Sequence, residues 1–237
     1  MPYKLIEKNK DYLIINKPAG LLTHGAARIK EKSLVDFLLA DYPELAGVGE
    51  DDSRPGIMHR LDKLASGLMI VALNNESFFD LKKQFQERTI SKYYTALVFG
   101  KIEREESEIN FPIARSSKGY KMAALPLTKK GKANFDGRNA KTKFEIIKKY
   151  INYTLLKVKT ETGRTHQVRC HFAAYGHPLA GDDLYGTGKT KIKNQKLNLG
   201  RIFLAANELG FTSLDGERKK YKIGLPENLK KFLEIIK

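Results

Sequence analysis

The chain has little cysteine and no tryptophan: Cys170 is the only thiol in 237 residues. One cysteine forms no internal disulfide, and a thiolate-rich zinc site is excluded with it. Long apolar runs are missing too. The longest, residues 68–73, falls far short of the ~20 residues that span a bilayer. The first twenty residues, "MPYKLIEKNKDYLIINKPAG", interleave charge with apolar side chains and lack the continuous hydrophobic segment of a secretory signal. A cytoplasmic protein without membrane contact is expected. Acids are scarce, 27 against 43 Lys and Arg, for a net charge of +16. That excess favours a polyanionic partner, nucleic acid first, because each phosphate contact releases condensed counterions. For the Lys-rich tract 189–196 taken alone, a solvated surface is the plainer expectation.

What is present describes a folded protein. Hydrophobic residues make up 41% of the chain, with 12 Phe and 11 Tyr, and the length suffices for a core. No linker of low complexity and no internal repeat divides it, so one domain over residues 1–237 is expected. Residues 3–16 read as a strand pair, and "KPAGLLTHG" as a Gly/Pro loop. Ser33 caps a short helix, and "NESFFDLKKQF" sets Phe78, Leu81 and Phe85 at helical spacing behind an Asn75 cap. "KYYTALVFG" and "YTLLKVKTE" read as strands. "THQVRCHFAAYG" reads as a helix capped by Thr165 and ended at Gly176, and "LPENLKKFLEIIK" as an amphipathic helix entered through Pro226. Strands outnumber helices and rarely alternate with them. The expected class is α+β, a mixed, largely antiparallel sheet flanked by helices.

Two stretches carry the chemistry. "HRLDKLASGLMIVAL", residues 59–73, brings His59, Arg60 and Asp62 to the start of a run that is apolar on both faces, the mark of a doubly covered strand. A carboxylate there must be paired, and pairing keeps it ionised, as a nucleophile or base requires. A structural Arg–Asp pair is the competing expectation. "TGRTHQVRCHFAAYGHPLAGDDLYG", residues 162–186, gathers Arg164, His166, Gln167 and Arg169 about a helix start, where anions are favoured. Arg169 lies one turn beyond His166, so both can face one cleft. Other chemistries fail. "GTGKT" at 186–190 lacks the leading glycine of a phosphate loop, His166 and His171 lack a thiol or acidic partner motif for zinc, and Ser66 lacks the glycines of a nucleophile elbow.

These motifs resemble those of the RluA-type RNA pseudouridine synthases. "HRLDKLASG" is similar to their His-Arg-Leu-Asp…Ser-Gly signature and "GRTHQVRCHFAAYGHPLAGDDLYG" to their second long motif. "INKPAGLLTHG", "KYYTALVFG" and "FPIARSSKGYKMA" resemble three further segments, in family order from about residue 3 to beyond residue 211. The resemblance implies the pseudouridine synthase fold with a central basic catalytic cleft. It implies an isomerase that converts uridine to pseudouridine in structured RNA, ribosomal ahead of transfer RNA, with no cofactor and no metal. Asp62 would be the essential carboxylate, attacking the extruded nucleotide or abstracting a ribose proton; both first steps stay open. Tyr94 would pack against the base and assist the late proton transfer. Arg169 would pair with Asp62. RNA contacts would come from His59, Arg60, Arg164, His166, Gln167 and Lys121.

Three departures from the family pattern stand out. Leu64 and Ala65 replace an acidic residue and Thr, and Ala205 occupies a usual His position. The chain starts directly at the catalytic motifs, so an S4-type RNA-binding module is not expected, and the protein is expected to act as a monomer. A non-catalytic RNA-binding or ribosome-assembly protein would have no need of Asp62. A base deaminase would need the zinc ligands that are missing.

Overall fold

The computed structural model describes residues 1–25, 30–116, 119, 121–125 and 137–236. Residues 117, 118 and 120, within the motif "FPIARSSKGYKMA", lie outside the described residues. The chain opens with β1 (Lys4–Lys8), β2 (Tyr12–Lys17) and α1 (Leu34–Asp41). Then come β3 (Ser66–Ala72), α2 (Asn75–Glu87), β4 (Ser91–Phe99), β5 (Glu106–Ile109), β6 (Ile113–Arg115) and β7 (Met122–Ala124). β8 (Thr142–Lys149), β9 (Tyr153–Thr160), α3 (Gln167–Ala174) and α4 (Gly188–Leu197) follow. β10 (Leu204–Thr212), β11 (Arg218–Lys222) and α5 (Glu227–Ile235) complete it. The architecture is α+β, with a mixed, largely antiparallel sheet. Among the described residues no helix is long and apolar enough to cross a membrane.

The chain divides into two compact units, Met1–Lys92 with Ala206–Gly224, and Tyr93–Ala205 with Leu225–Lys237. In the first, the strand order is β1-β2-β3-β10, with β11 against β10. β3 is buried along its whole length, as its unbroken apolar sequence requires. It pairs antiparallel with β2, Ile14 opposite Ile70 and Lys17 opposite Gly67. α2 turns Phe78 and Leu81 onto a core of Tyr12, Ile14, Leu68 and Ile70, and each such fully buried side chain contributes roughly 1.5–3 kcal/mol. Its cap is Asn74, not Asn75: the Asn74 side chain accepts the Ser77 N–H at 2.9 Å. Asn75 is drawn off to accept the Gly49 N–H at 2.7 Å. Ser33 caps α1 in a reciprocal box with Asp36.

In the second unit the order is β4-β9-β8-β5, every pairing antiparallel, and β6 and β7 form a separate hairpin. α3 packs on β7 and β8. Its N-cap is His166 rather than Thr165, in the left-handed region at φ 54° and with no side-chain capping bond. α5 lays Leu229 and Phe232 on Phe99, Tyr153 and Phe203, entered through Pro226.

Candidate active site

Asp62 belongs to the first unit, on an irregular segment running up to β3. That segment is bound from several sides by atoms distant in sequence. Lys17, at the end of β2, is fully buried, and its Nζ donates to the carbonyls of Pro18 at 2.8 Å, Leu21 at 2.7 Å and Lys63 at 3.4 Å. The Gly20 N–H adds a second bond to the Lys63 carbonyl, 2.7 Å, from a backbone at φ 92° that glycine tolerates. Thr23 is also buried. Its hydroxyl donates to the Leu61 carbonyl at 2.9 Å and accepts the Leu61 N–H at 3.3 Å. The "KPAGLLTHG" loop thus grips the residues on both sides of Asp62. A turn closed by the Ala65 N–H on the Asp62 carbonyl, 3.1 Å, leads into β3. Gly67 then brings β3 against Ala206: a Cβ at Gly67 would stand 2.2 Å from the Ala206 carbonyl oxygen.

His59 secures the other end. Its Nε2 accepts the Ile70 N–H at 3.1 Å, and its ring stacks on Phe85 at 4.8 Å between centroids. Loss of water, and then the nearby Lys92 ammonium, push its pKa down to about 3, so the imidazole is neutral. With Nε2 accepting, the ring proton sits on Nδ1, a buried atom with no partner among the described residues. Burial likewise pushes Lys92 down to about 8, and its Nζ lies 5.2 Å from the Phe85 ring centre. Arg60 is exposed, its Nη1 2.9 Å from His24 Nε2.

The remaining candidates lie in the second unit. Tyr94 is buried on β4, opposite Val158 of β9. Arg169 is buried on α3 and forms a bidentate pair with Asp182, Nε to Oδ2 at 2.7 Å and Nη2 to Oδ1 at 3.0 Å. Asp182 is wholly buried, and its Oδ1 also accepts the N–H groups of Leu184 and Tyr185, each at 3.1 Å. The Arg169 guanidinium lies over the Tyr185 ring at 5.0 Å. The Tyr185 hydroxyl accepts the Met122 N–H at 2.9 Å and lies 2.9 Å from His166 Nδ1; burial pushes its pKa up to about 12. Arg169 and His166 therefore both contact Tyr185.

Gln167 and His171 face inward. The Gln167 amide accepts from the Thr162 hydroxyl at 2.6 Å and donates to Lys141 O at 2.9 Å and Thr142 Oγ1 at 3.0 Å. His171 sits between Thr142 Oγ1 and the Phe111 carbonyl, both at 2.9 Å, and burial lowers its pKa. Arg164 donates from Nε to the Asn139 carbonyl at 3.1 Å. Lys121 precedes β7, its carbonyl accepting the Ser116 N–H at 2.9 Å. Among the described residues no group of three or more His, Cys, Asp and Glu is arranged to hold a metal ion.

Lys17, Thr23, Asp182 and Tyr185 were not singled out from the sequence. The signal for Asp182 and Tyr185 lay in "GDDLYG", and for Lys17 in "INKPAG".

Comparison with known proteins bears on what this arrangement does. Residues 11–174 match the family model described as RNA pseudouridylate synthase. The chain is 38% identical over 235 residues to a protein of Aquifex aeolicus named an uncharacterized RNA pseudouridine synthase, covering 97% of this chain and 72% of that one. It is 35% identical over 241 residues to the ribosomal large subunit pseudouridine synthase D of Nitrosomonas europaea, 100% of this chain and 66% of the relative. Among solved structures, human RNA pseudouridylate synthase domain containing 1 superposes with a TM-score of 0.72 at 25% identity, over 94% of this chain and 84% of that one. On these grounds the chain belongs to the RluA-type RNA pseudouridine synthases, isomerases that act on RNA.

Proposed function

We propose that the substrate is ribosomal RNA, that Asp62 is the essential carboxylate, and that the reaction needs no cofactor or metal. The carrying observation is the grip of Lys17, Gly20 and Thr23 on Leu61 and Lys63, which fixes the backbone on both sides of Asp62. Placing a reactive group to a fraction of an ångström is what orientation in catalysis requires. The ribosomal choice is supported by relatives at 35% and 33% identity that carry the name ribosomal large subunit pseudouridine synthase.

The isomerisation balances without a co-reactant. The C1′–N1 glycosidic bond breaks, the uracil turns, a C1′–C5 bond forms, and the proton on C5 is lost as N1 gains one. The target nucleotide must leave its stack for this to happen. Asp62 opens the sequence as nucleophile or as base, and either role needs the ionised carboxylate. Arg169 pairs with that carboxylate and orients it. Its own orientation rests on Asp182 and Tyr185. Tyr94 packs on the base and assists removal of the C5 proton. Arg60, Arg164, His166 and Lys121 contact RNA, with His59 and Gln167 supporting the segments that carry them. The whole chain works as one catalytic domain, a monomer in the cytoplasm.

The test is a map of pseudouridines in total RNA from cells with the gene, without it, and with Asp62→Asn in its place. Sites in ribosomal RNA should vanish in the last two strains alike. Loss confined to transfer RNA would overturn the ribosomal assignment, and full restoration by Asp62→Asn would overturn the role of the carboxylate.

A further inference from the structure

The tract 189–196 is the helix α4, and its lysines are not scattered. Lys189, Ile192, Lys193 and Lys196 fall at i, i+3, i+4 and i+7, one face of a helix, and all four are exposed. α4 contains no acidic residue, and none of Lys189, Lys191, Lys193 or Lys196 takes part in an ion pair among the described residues. Other helices of the chain differ: on α2, Lys82 pairs with Glu50 and Lys83 with Glu87, and on α5, Lys230 pairs with Glu227. Like charges at i,i+3 and i,i+4 disfavour a helix, so α4 holds a repulsive stripe with no counter-charge along it. Ile192, 58% exposed, sits in the middle of that stripe.

The helix is nevertheless firmly held. Thr187 caps it, and its buried face is fastened by Asn194, whose Oδ1 accepts the Gly181 N–H at 2.8 Å and whose Nδ2 donates to Asp183 at 3.0 Å. Gly181 itself is pressed against the Arg201 carbonyl, 2.0 Å from where a Cβ would stand. Between Gly181 and Asp183 lies Asp182, the carboxylate that clamps Arg169. One short loop therefore fixes both the basic stripe and the Arg169 pair.

We propose that this outward face of α4 is a docking surface for the sugar-phosphate backbone of the substrate RNA. The proposal rests on the chain's membership of an RNA-modifying family and names a partner surface within it. The three lysines extend over about 10 Å at 1.5 Å per residue, enough to follow consecutive phosphates along a strand. Phosphate contacts of this kind give affinity without sequence preference and are paid back in salt dependence.

The test is the triple variant Lys189→Gln, Lys193→Gln, Lys196→Gln, which keeps helix propensity, beside a control that removes three exposed positive charges elsewhere, Lys4→Gln, Lys10→Gln, Lys101→Gln. Binding of a ribosomal RNA fragment is titrated at several salt concentrations, and pseudouridine formation is timed on the same fragment. In the α4 variant the slope of log K against log salt should flatten by about 2–3, from roughly 0.7–0.9 per phosphate contact. KM should rise while kcat stays and the melting temperature holds or rises slightly as the repulsion along α4 is relieved, and Lys→Arg at the three positions should restore the slope. The control should flatten it by less than one. An unchanged slope in the α4 variant, or an equal change in both variants, overturns the docking surface. Wild-type protein that binds the fragment with the α4-dependent slope yet forms no pseudouridine would refute the ribosomal substrate and leave the docking surface standing.

Discussion

Replacing Asp182 with Asn removes a charge from the interior and leaves the side-chain shape nearly unchanged. The carboxylate accepts four hydrogen bonds: Arg169 Nε at 2.7 Å, Arg169 Nη2 at 3.0 Å, and the Leu184 and Tyr185 N–H groups at 3.1 Å. An asparagine carbonyl in the place of Oδ1 can keep three of these. Its amide nitrogen then faces the Arg169 Nε–H, donor against donor, and the guanidinium loses the Asp182 carboxylate in a site where Arg169 is 6% exposed. Breaking a buried pair on one side costs about 3–5 kcal/mol. For a chain of this length that corresponds to a fall in Tm of about 6–20 °C, at about 2–4 °C per kcal/mol. Arg169→Met should fall by a similar amount. The double variant Arg169→Met, Asp182→Asn should recover part of the loss, because the opposed donors and the orphan charge are both gone. Thermal melts of the four proteins, followed by circular dichroism, measure this, and a tritium-release assay follows activity alongside. A fall of less than about 3 °C in Asp182→Asn, or strictly additive shifts, would refute the reasoning.

Tyr94→Phe should bind RNA as the wild type does and turn over more slowly, since only the hydroxyl is lost; single-turnover rates equal to wild type would reduce Tyr94 to packing. Gly67→Ala should destabilise the first unit by about 1–3 kcal/mol, because the added Cβ meets the Ala206 carbonyl, and an unchanged urea midpoint would contradict that. His59, neutral in the fold with a pKa near 3 against an ordinary 6.5, contributes stability that is fully present above pH 6.5 and lost as pH falls towards 3. The unfolded chain takes up that proton first, so wild-type stability should drop by about 2 kcal/mol between pH 7 and pH 4.5 from this residue. His59→Gln, which keeps an acceptor for the Ile70 N–H, should flatten that acid limb. Identical acid limbs in urea titrations would remove His59 as its cause.

The sequence by itself determined the elements whose side-chain period is unambiguous. The unbroken apolar run 68–73 reads as a doubly covered strand, and β3 is buried throughout. Phe78 and Leu81 had to lie on one helix face, and Leu229 and Phe232 likewise. It also determined the family, because ordered motifs survive in the chain as strings. Where the pattern was short or wholly charged, only pairing decided. β11, "RKKYK", is a strand because β10 presents its edge to it, Leu209 opposite Tyr221, and its composition alone carries no period. The caps shifted by one residue, Asn74 for Asn75 and His166 for Thr165. At α2 the cap is the side chain that reaches the free N–H groups, and Asn75 found a better use at Gly49; at α3 the left-handed backbone of His166 starts the helix without a side-chain cap. The surroundings of the site residues were decided by the tertiary structure. Asp62 was visible in its motif, but the atoms that hold its backbone neighbours come from Lys17 and Thr23, some forty residues away. Arg169 was visible too, whereas its bidentate partner Asp182 was one acid among 27 until α3 and the 181–183 loop met. A hydrogen bond depends on distances of a few tenths of an ångström between groups that a linear string leaves unrelated, so folding alone selects which pairs form.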